Sequence, residues 1–143
     1  MKALVVYYSK TGRTRKIAEE IAERLHGDIE EIFSDKIESY EKKKSIKHPS
    51  LYDVVIVGTP IWYFTVTRPI RTYINFYKGS IKHIAFFCTS GGIGVERAFK
   101  DIQDLLQMKP LDTFSVTTME FLRKKYLPSL EQFVKNIKDK TIE

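Results

Sequence analysis

Ala3-Leu4-Val5-Val6-Tyr7-Tyr8-Ser9-Lys10-Thr11-Gly12-Arg13-Thr14 is the stretch on which the fold class turns. Ala3 to Tyr7 form a short continuous apolar run that ends in a polar turn. Such a run reads as a strand buried on both faces of a parallel sheet. Ile17, Ala18, Ile21, Ala22 and Leu25 then recur at helical spacing, with Glu19, Glu20, Glu23 and Arg24 on the opposite face. Gly27 stands where a helix-terminating glycine belongs. A buried strand leading at once into an amphipathic helix is the first half of a parallel crossover unit.

The same alternation continues outward from that unit. Asp28 to Phe33 is a second, more polar strand suited to a sheet edge. Val54 to Val57, within Asp53-Val54-Val55-Ile56-Val57-Gly58, is the clearest buried strand in the chain. Helical patterns at 68–77 and 95–107 flank the strand Ile84-Ala85-Phe86-Phe87-Cys88. Thr113 to Thr117 is the last strand, and Pro128 opens a last helix near its first turn, running to about Lys138. This order predicts an α/β fold, an open parallel sheet of five strands with helices on both faces, in one domain spanning residues 1–143. The connection at 34–52 is the exception. It is highly charged and has few apolar anchors, so it reads either as a short, poorly packed helix or as an open loop.

With 143 residues and 43% hydrophobic content, the chain can bury roughly two-thirds of its unfolded surface without covalent staples. A lone cysteine excludes a disulfide framework and any multi-cysteine metal site. His26, His48 and His83 are too scattered for a histidine-rich one. No apolar segment suits a signal peptide or a membrane span. A free thiol without bridges fits a reducing compartment, so a soluble cytoplasmic protein is expected. The balance of 24 basic against 18 acidic residues, +6, is compatible with an acidic protein partner. The positive residues lack the aromatic interleaving of a nucleic-acid surface, so that partner class is not expected.

In open α/β sheets, ligands bind at the carboxyl ends of the strands, near the point where strand order reverses. Three loops lie there. Ser9-Lys10-Thr11-Gly12-Arg13-Thr14 places three hydroxyls and a glycine at a helix start, where unpaired backbone N–H groups favour an anion. It is neither a P-loop nor a Gly-x-Gly-x-x-Gly fingerprint, and a single monophosphate fits it. Arg13, Arg15 and Lys16 crowd the same turn, against the helix dipole, which makes sense beside a dianion. The alternative is an ordinary Ser/Thr cap with solvated cations.

The second loop, Gly58-Thr59-Pro60-Ile61-Trp62-Tyr63-Phe64-Thr65, holds the only tryptophan and two further aromatics. Three adjacent aromatics in a loop cannot all enter the core, so Trp62 or Tyr63 is free to stack on a flat ligand, while Phe64 packs beneath. The third, Cys88-Thr89-Ser90-Gly91-Gly92-Ile93-Gly94, uses small residues that allow close backbone approach. Arg97 stands where a dinucleotide fingerprint needs its third glycine. Cys88, at the end of a buried strand with no histidine nearby in sequence, reads as an inert thiol. Taken together, the loops suit a ligand with a phosphate at one end and a planar ring system at the other.

Ser9-x-Thr11-Gly12-x-Thr14, Gly58-Thr59-Pro60-Ile61-Trp62 and Thr89-Ser90-Gly91-Gly92, in this order, resemble the flavodoxin family of FMN-binding proteins over about residues 1–110. The resemblance implies strand order 2-1-3-4-5 and FMN as cofactor. It implies that Ser9, Lys10, Thr11, Gly12, Arg13 and Thr14 hold the phosphate. Thr59, Pro60, Ile61, Trp62 and Tyr63 would then line one side of the isoalloxazine, and Thr89, Ser90, Gly91 and Gly92 its pyrimidine edge. Three features depart from the best-known flavodoxins. Those are strongly acidic, usually carry a stacking tyrosine in the third loop, and often have a second-loop glycine whose peptide flips when the flavin is half-reduced. Here the charge is +6, no tyrosine lies between Cys88 and Gly94, and no glycine lies between Thr59 and Tyr63.

The expected function is therefore electron transfer through bound FMN to a redox partner protein, with the cofactor supplying the chemistry and no catalytic side chain or metal required. The alternative is an NAD(P)H-dependent FMN or quinone reductase, for which the loop without a tyrosine leaves room. A cofactor-free basic α/β binding domain ranks below both. A receiver-domain reading fails because Tyr7-Tyr8-Ser9 carries no acidic cluster.

Overall fold

A computed structural model describes residues 1–33, 47–62 and 65–142. The strands are β1 (Ala3–Tyr7), β2 (Asp28–Glu31), β3 (Val54–Trp62), β4 (Thr65–Val66), β5 (Ile84–Ser90) and β6 (Thr113–Thr117). The helices are α1 (Arg13–Leu25), α2 (Arg68–Tyr77), α3 (Val95–Leu106), α4 (Thr118–Leu122) and α5 (Leu127–Ile142). The sheet order is β2-β1-β3-β5-β6, all parallel, with β4 antiparallel to β3 off the main path. Leaving β4 aside, this is the expected order 2-1-3-4-5. The polar β2 is indeed an edge strand. The order reverses between β1 and β3, which places their carboxyl ends at the switch point.

Alternate residues of each central strand feed two cores. Leu4, Val6, Val55, Val57 and Phe86 pack against Ile70, Tyr73 and Ile74 of α2 and Ala98 and Ile102 of α3. Val5, Ile56, Ala85 and Phe87 pack on the other face against Ile17 and Ile21 of α1 and Leu130, Phe133 and Ile137 of α5. Strands buried on both faces must be apolar throughout, which is why they read as unbroken runs. Among the described residues, no helix is long and apolar enough to cross a membrane.

Three local expectations change, and one is tested only in part. The connection at 34–52 is described only from Lys47 onward. There Pro49–Leu51 form a short 3₁₀ turn, capped by His48 Nδ1, which accepts from the Ser50 N–H. Residues 34–46 lie outside the described residues. At the end of α1 the left-handed residue is His26 (φ 51°), not Gly27. The His26 N–H reaches Glu23 O and the Gly27 N–H reaches Ala22 O, a Schellman closure. Gly27 is required for a different reason, because a Cβ there would sit 2.8 Å from Ala3 O. The second difference is α4, a helix that the apolar pattern does not announce. Third, α5 runs past Lys138 to Ile142.

Candidate functional site

What reads as a second loop after Val57 is mostly strand. β3 continues from Val54 through Trp62, and Ile61 pairs with Val66 and Trp62 with Thr65 of β4. The register with β1 ends at Tyr7–Gly58, so beyond Gly58 that side of β3 has no β1 neighbour. A proline is tolerated at such an edge, and Pro60 follows directly. Likewise β5 extends beyond Cys88 to Ser90. These extensions carry Pro60, Ile61, Trp62, Thr89 and Ser90 past the end of β1 and form two walls of a crevice.

The floor is the β1–α1 turn. Gly12 caps α1 in the left-handed region (φ 96°), where a Cβ is strained. Its N–H donates to Ser9 Oγ at 3.1 Å, closing the turn. Having no side chain, Gly12 leaves the first-turn amides of α1 without a side-chain cap, and no acidic residue stands in that turn. Those amides and the positive helix end form an anion seat.

The resulting cavity measures about 710 Å³ and is lined by Lys10, Thr11, Arg13, Thr14, Pro60, Ile61, Trp62, Thr89, Ser90, Gly91 and Thr118. That volume lies within the range of small-molecule and cofactor sites, about 300–1,000 Å³. All three segments singled out in the sequence meet here. Thr14 Oγ1 lies 2.8 Å from Thr89 Oγ1, a buried bond between the floor and the far wall. Trp62 is 39% exposed, packed edge-on against Tyr8 at 6.0 Å, with Lys10 Nζ 5.5 Å above its ring. An exposed indole held on two sides offers a flat, fixed stacking surface.

Four expected site residues are not in that lining. Ser9 and Gly12 shape the turn instead. Thr59 is 1% exposed, and its hydroxyl is committed to Pro60 O and Thr67 Oγ1 at 2.8 and 2.9 Å. Gly92, at φ 120°, donates its N–H to Ser90 Oγ and so shapes its loop. Tyr63 and Phe64 lie outside the described residues. The cations at the start of α1 also divide. Arg15 and Lys16 face Glu19 and Glu20 one turn on, at 3.0 and 3.9 Å, so they are surface pairs rather than ligands of an anion. Only Arg13 enters the lining.

Thr118 is the lining residue that sequence reading missed. Its Oγ1 accepts from Arg13 Nη1 at 2.9 Å and donates to Ser90 O at 3.3 Å, tying α1, α4 and β5 together. The available signal was Thr117-x-x-Glu120. Both halves of this capping box form, fixing the start of α4 directly after β6. Cys88 is fully buried and burial pushes its thiol up to about 12, the state of an unreactive cysteine.

No protein of curated function matches the chain in sequence. Solved structures do match in fold. A putative flavoprotein from Bacteroides uniformis ATCC 8492 is 23% identical, with 94% of this chain and 97% of that one covered and a TM-score of 0.70. A structure described as a flavodoxin from the domain Archaea is 21% identical over all of both chains, with a TM-score of 0.67. A flavoprotein from Lactobacillus acidophilus NCFM, solved in complex with FMN, is 21% identical over 80% of this chain and 92% of that one, with a TM-score of 0.65. Residues 4–120 match the family described as Flavodoxin domain. That span takes in both walls and the floor of the crevice, and the chain belongs to the flavodoxin family.

Proposed function

We propose that the protein is an FMN-binding flavoprotein of electron transfer, acting in the cytoplasm as one unit over residues 1–143. The carrying observation is the single cavity that joins an uncapped helix start to an exposed tryptophan. Bound FMN supplies the redox chemistry. The chain's own residues bind and orient it. The amides after Gly12, the Thr11 hydroxyl and the Arg13 guanidinium take the phosphate, with Ser9 and Gly12 holding the turn. Trp62, Pro60 and Ile61 line the ring system with Thr59 behind them, and Tyr63, next in sequence, is assigned to the same side of the ring. The Thr89-Ser90-Gly91-Gly92 backbone meets its polar edge, and Thr14 and Thr118 fix the walls.

FMN and riboflavin titrations read by flavin fluorescence test this assignment. FMN is expected to bind far more tightly than riboflavin, which lacks the phosphate. Equal affinities would remove the phosphate assignment, and a protein that takes up neither flavin would be a cofactor-free basic domain. The redox partner is an acidic protein, steered by the +6 charge, so electron transfer slows as salt rises.

A second reading has its own support. Thr89 to Gly94 contains no aromatic residue, and Trp62 is the only tryptophan beside the cavity. One flavin face is then open to a second flat ligand, as an NAD(P)H-dependent flavin or quinone reductase requires. Steady-state oxidation of NADPH or NADH with a quinone separates the two readings.

A further inference from the structure

We propose that the rim of the flavin cavity is the docking surface for an acidic redox protein, with an apolar centre on α4 and the β5–α3 loop and a basic edge on the turn after α4. This rests on the flavin reading and names the surface by which its partner approaches. Large apolar side chains stand exposed around the cavity: Ile93 at 71%, Leu122 at 67%, Met119 at 53%, and Trp62. Ile93 lies in the loop after β5, and Met119 and Leu122 lie on α4, directly after β6. Those strands are neighbours, with Ser90 opposite Thr117, and Thr118 Oγ1 bonds Ser90 O across them. Trp62, Gly91 and Thr118 line the same cavity, Met119 adjoins Thr118, and Leu122 lies one turn on.

The apolar pair on α4 is held outward by the way the helix is fixed. The Thr117–Glu120 capping box sets its start. At its end the N–H groups of Arg123, Lys124 and Lys125 donate to Met119 O, Phe121 O and Glu120 O. Thr118 and Phe121, one turn apart, form the inward side. Thr118 bonds Arg13 and Ser90, and Phe121 stacks at 5.9 Å on Tyr126, which is buried. Met119 and Leu122, also one turn apart, share the outward side. A fixed element that presents large apolar side chains to water beside a ligand cavity marks an interaction surface.

Charge selects the occupant. Arg123, Lys124 and Lys125 follow the apolar pair, all three exposed, and among the described residues none of them is in an ion pair. Lys10 and Arg13 add positive charge from the cavity itself. The carboxylates nearby do not offset them: Glu120 is turned onto the Thr117 N–H at 3.0 Å, and Glu96 is followed by Arg97. The complement of this surface is an apolar contact ringed by carboxylates, as an acidic protein presents, and a second copy of this basic chain is repelled. Two large side chains on a five-residue helix offer too little apolar area to seat on a bilayer, which favours protein over lipid. Short-lived redox contacts are small, which suits a patch of this extent.

NMR titration of the isotope-labelled, FMN-loaded protein with cytochrome c tests the surface. The probe is used in its native basic form and with its lysines succinylated, which rings its haem edge with carboxylates. The succinylated form is expected to bind more tightly at low salt, with the perturbed amides clustered at 91–94 and 118–125. Arg123→Gln with Lys124→Gln and Lys125→Gln should weaken it at least about tenfold. Met119→Ser with Leu122→Ser should weaken it at least about threefold. FMN affinity should stay within about twofold in both variants, because none of these side chains lines the cavity. Perturbations centred elsewhere, unchanged affinity in either variant, or tighter binding of the native form would each overturn the proposal. So would dimerisation through this face in sedimentation, or binding to phosphatidylglycerol vesicles that the same variants abolish, since the occupant would then be a second copy or a lipid. The same titration on flavin-free protein keeps the two readings apart. Binding at 91–94 and 118–125 by a chain that takes up no FMN would remove the flavin reading and leave the surface, and FMN uptake without such binding would do the reverse.

Discussion

Thr14 Oγ1 and Thr89 Oγ1 lie 2.8 Å apart, both residues buried, and this one bond joins the helix after β1 to the end of β5. It fixes the distance between the anion seat and the opposite wall. Thr14→Val keeps the shape but leaves the largely buried Thr89 hydroxyl without its partner, which costs about 1–3 kcal/mol. Replacing both threonines by valine leaves no orphan group, so the double variant should be more stable than the sum of the single losses. Urea unfolding of the four proteins completes the cycle. Additive losses would mean that the two hydroxyls act independently.

Gly12 and Thr11 should affect the ligand more than the fold. A Cβ at Gly12 meets nothing within 4 Å, so the penalty for valine there is the left-handed backbone itself (φ 96°). A strained φ of that kind costs about 1–3 kcal/mol and is relieved by reshaping the turn, which misaims the α1 amides. Thr11→Val instead removes one hydroxyl donor to a charged acceptor, about 1.5–3 kcal/mol. FMN affinity should fall in both variants and further in Gly12→Val. An FMN titration giving wild-type affinity for Gly12→Val would dissociate the turn from binding.

Gly58 is a packing glycine. A Cβ there would stand 1.9 Å from Phe87 Cζ, and Phe87 is its register neighbour on β5. The ring lies across the β3 backbone, fully buried between α1 and α5. Gly58→Ala should therefore destabilise by about 1–3 kcal/mol or more through overpacking. Adding Phe87→Leu should recover part of that loss, read as the thermal midpoint of each variant. A neutral Gly58→Ala would mean that the ring can move aside.

Legibility follows from what each signal depends on. β6 reads at its observed bounds, Thr113–Thr117, because turn residues bracket an alternating strand. The α1 face reads correctly because 3.6-residue periodicity is a local property. β3 reads four residues long and is nine, because Gly58, Thr59 and Pro60 are poor strand formers held by pairing with β5, a tertiary cause. Thr59 looks like a ligand residue by position. Only the fold shows its hydroxyl engaged with Thr67. Arg15 and Lys16 look like phosphate ligands until the helix places each beside a glutamate. Thr118 and Arg13 meet across 105 residues, which no local pattern could report.

Three tyrosines contribute to the alkaline limit of stability, and burial raises Tyr77 and the Cys88 thiol in the same direction. Tyr7, Tyr52 and Tyr126 are each raised from 10.0 to about 12, first by burial and then by the carboxylate that each hydroxyl faces. Those partners are Glu31, Asp28 and Glu20. The folded protein holds these protons more tightly than the unfolded chain. Their contribution is therefore complete below pH 10 and is lost as pH rises toward about 12. The urea midpoint should hold as pH rises from neutral to about 9 and then fall toward about 12, drawn down first by the buried Cys88 thiol (9.0 to about 12) and from 10 upward by the tyrosines, and Tyr126→Phe should make the upper part of the fall shallower. A decline complete below about pH 9 would assign the alkaline limit to other groups.

Ile61 bears on whether bound FMN passes one electron at a time or two. A half-reduced flavin persists where a backbone carbonyl can turn to accept from its newly protonated ring nitrogen, and glycine makes that turn easy. Ile61 resists it on three counts. It is β-branched, 9% exposed within the α2–α3 core, and paired with Val66 in the β3–β4 ribbon. Turning its peptide would break that pairing and drag a buried side chain. The +6 charge acts in the same direction by favouring the anionic, fully reduced cofactor. Slow photoreduction should therefore pass from oxidised to fully reduced flavin with little of the long-wavelength absorbance of the neutral radical. Ile61→Gly should increase that absorbance in the folded fraction, at a stability cost of about 2–5 kcal/mol for the lost side chain. A strong radical band in the unaltered protein would show that the ribbon opens, and would make the one-electron carrier the correct reading.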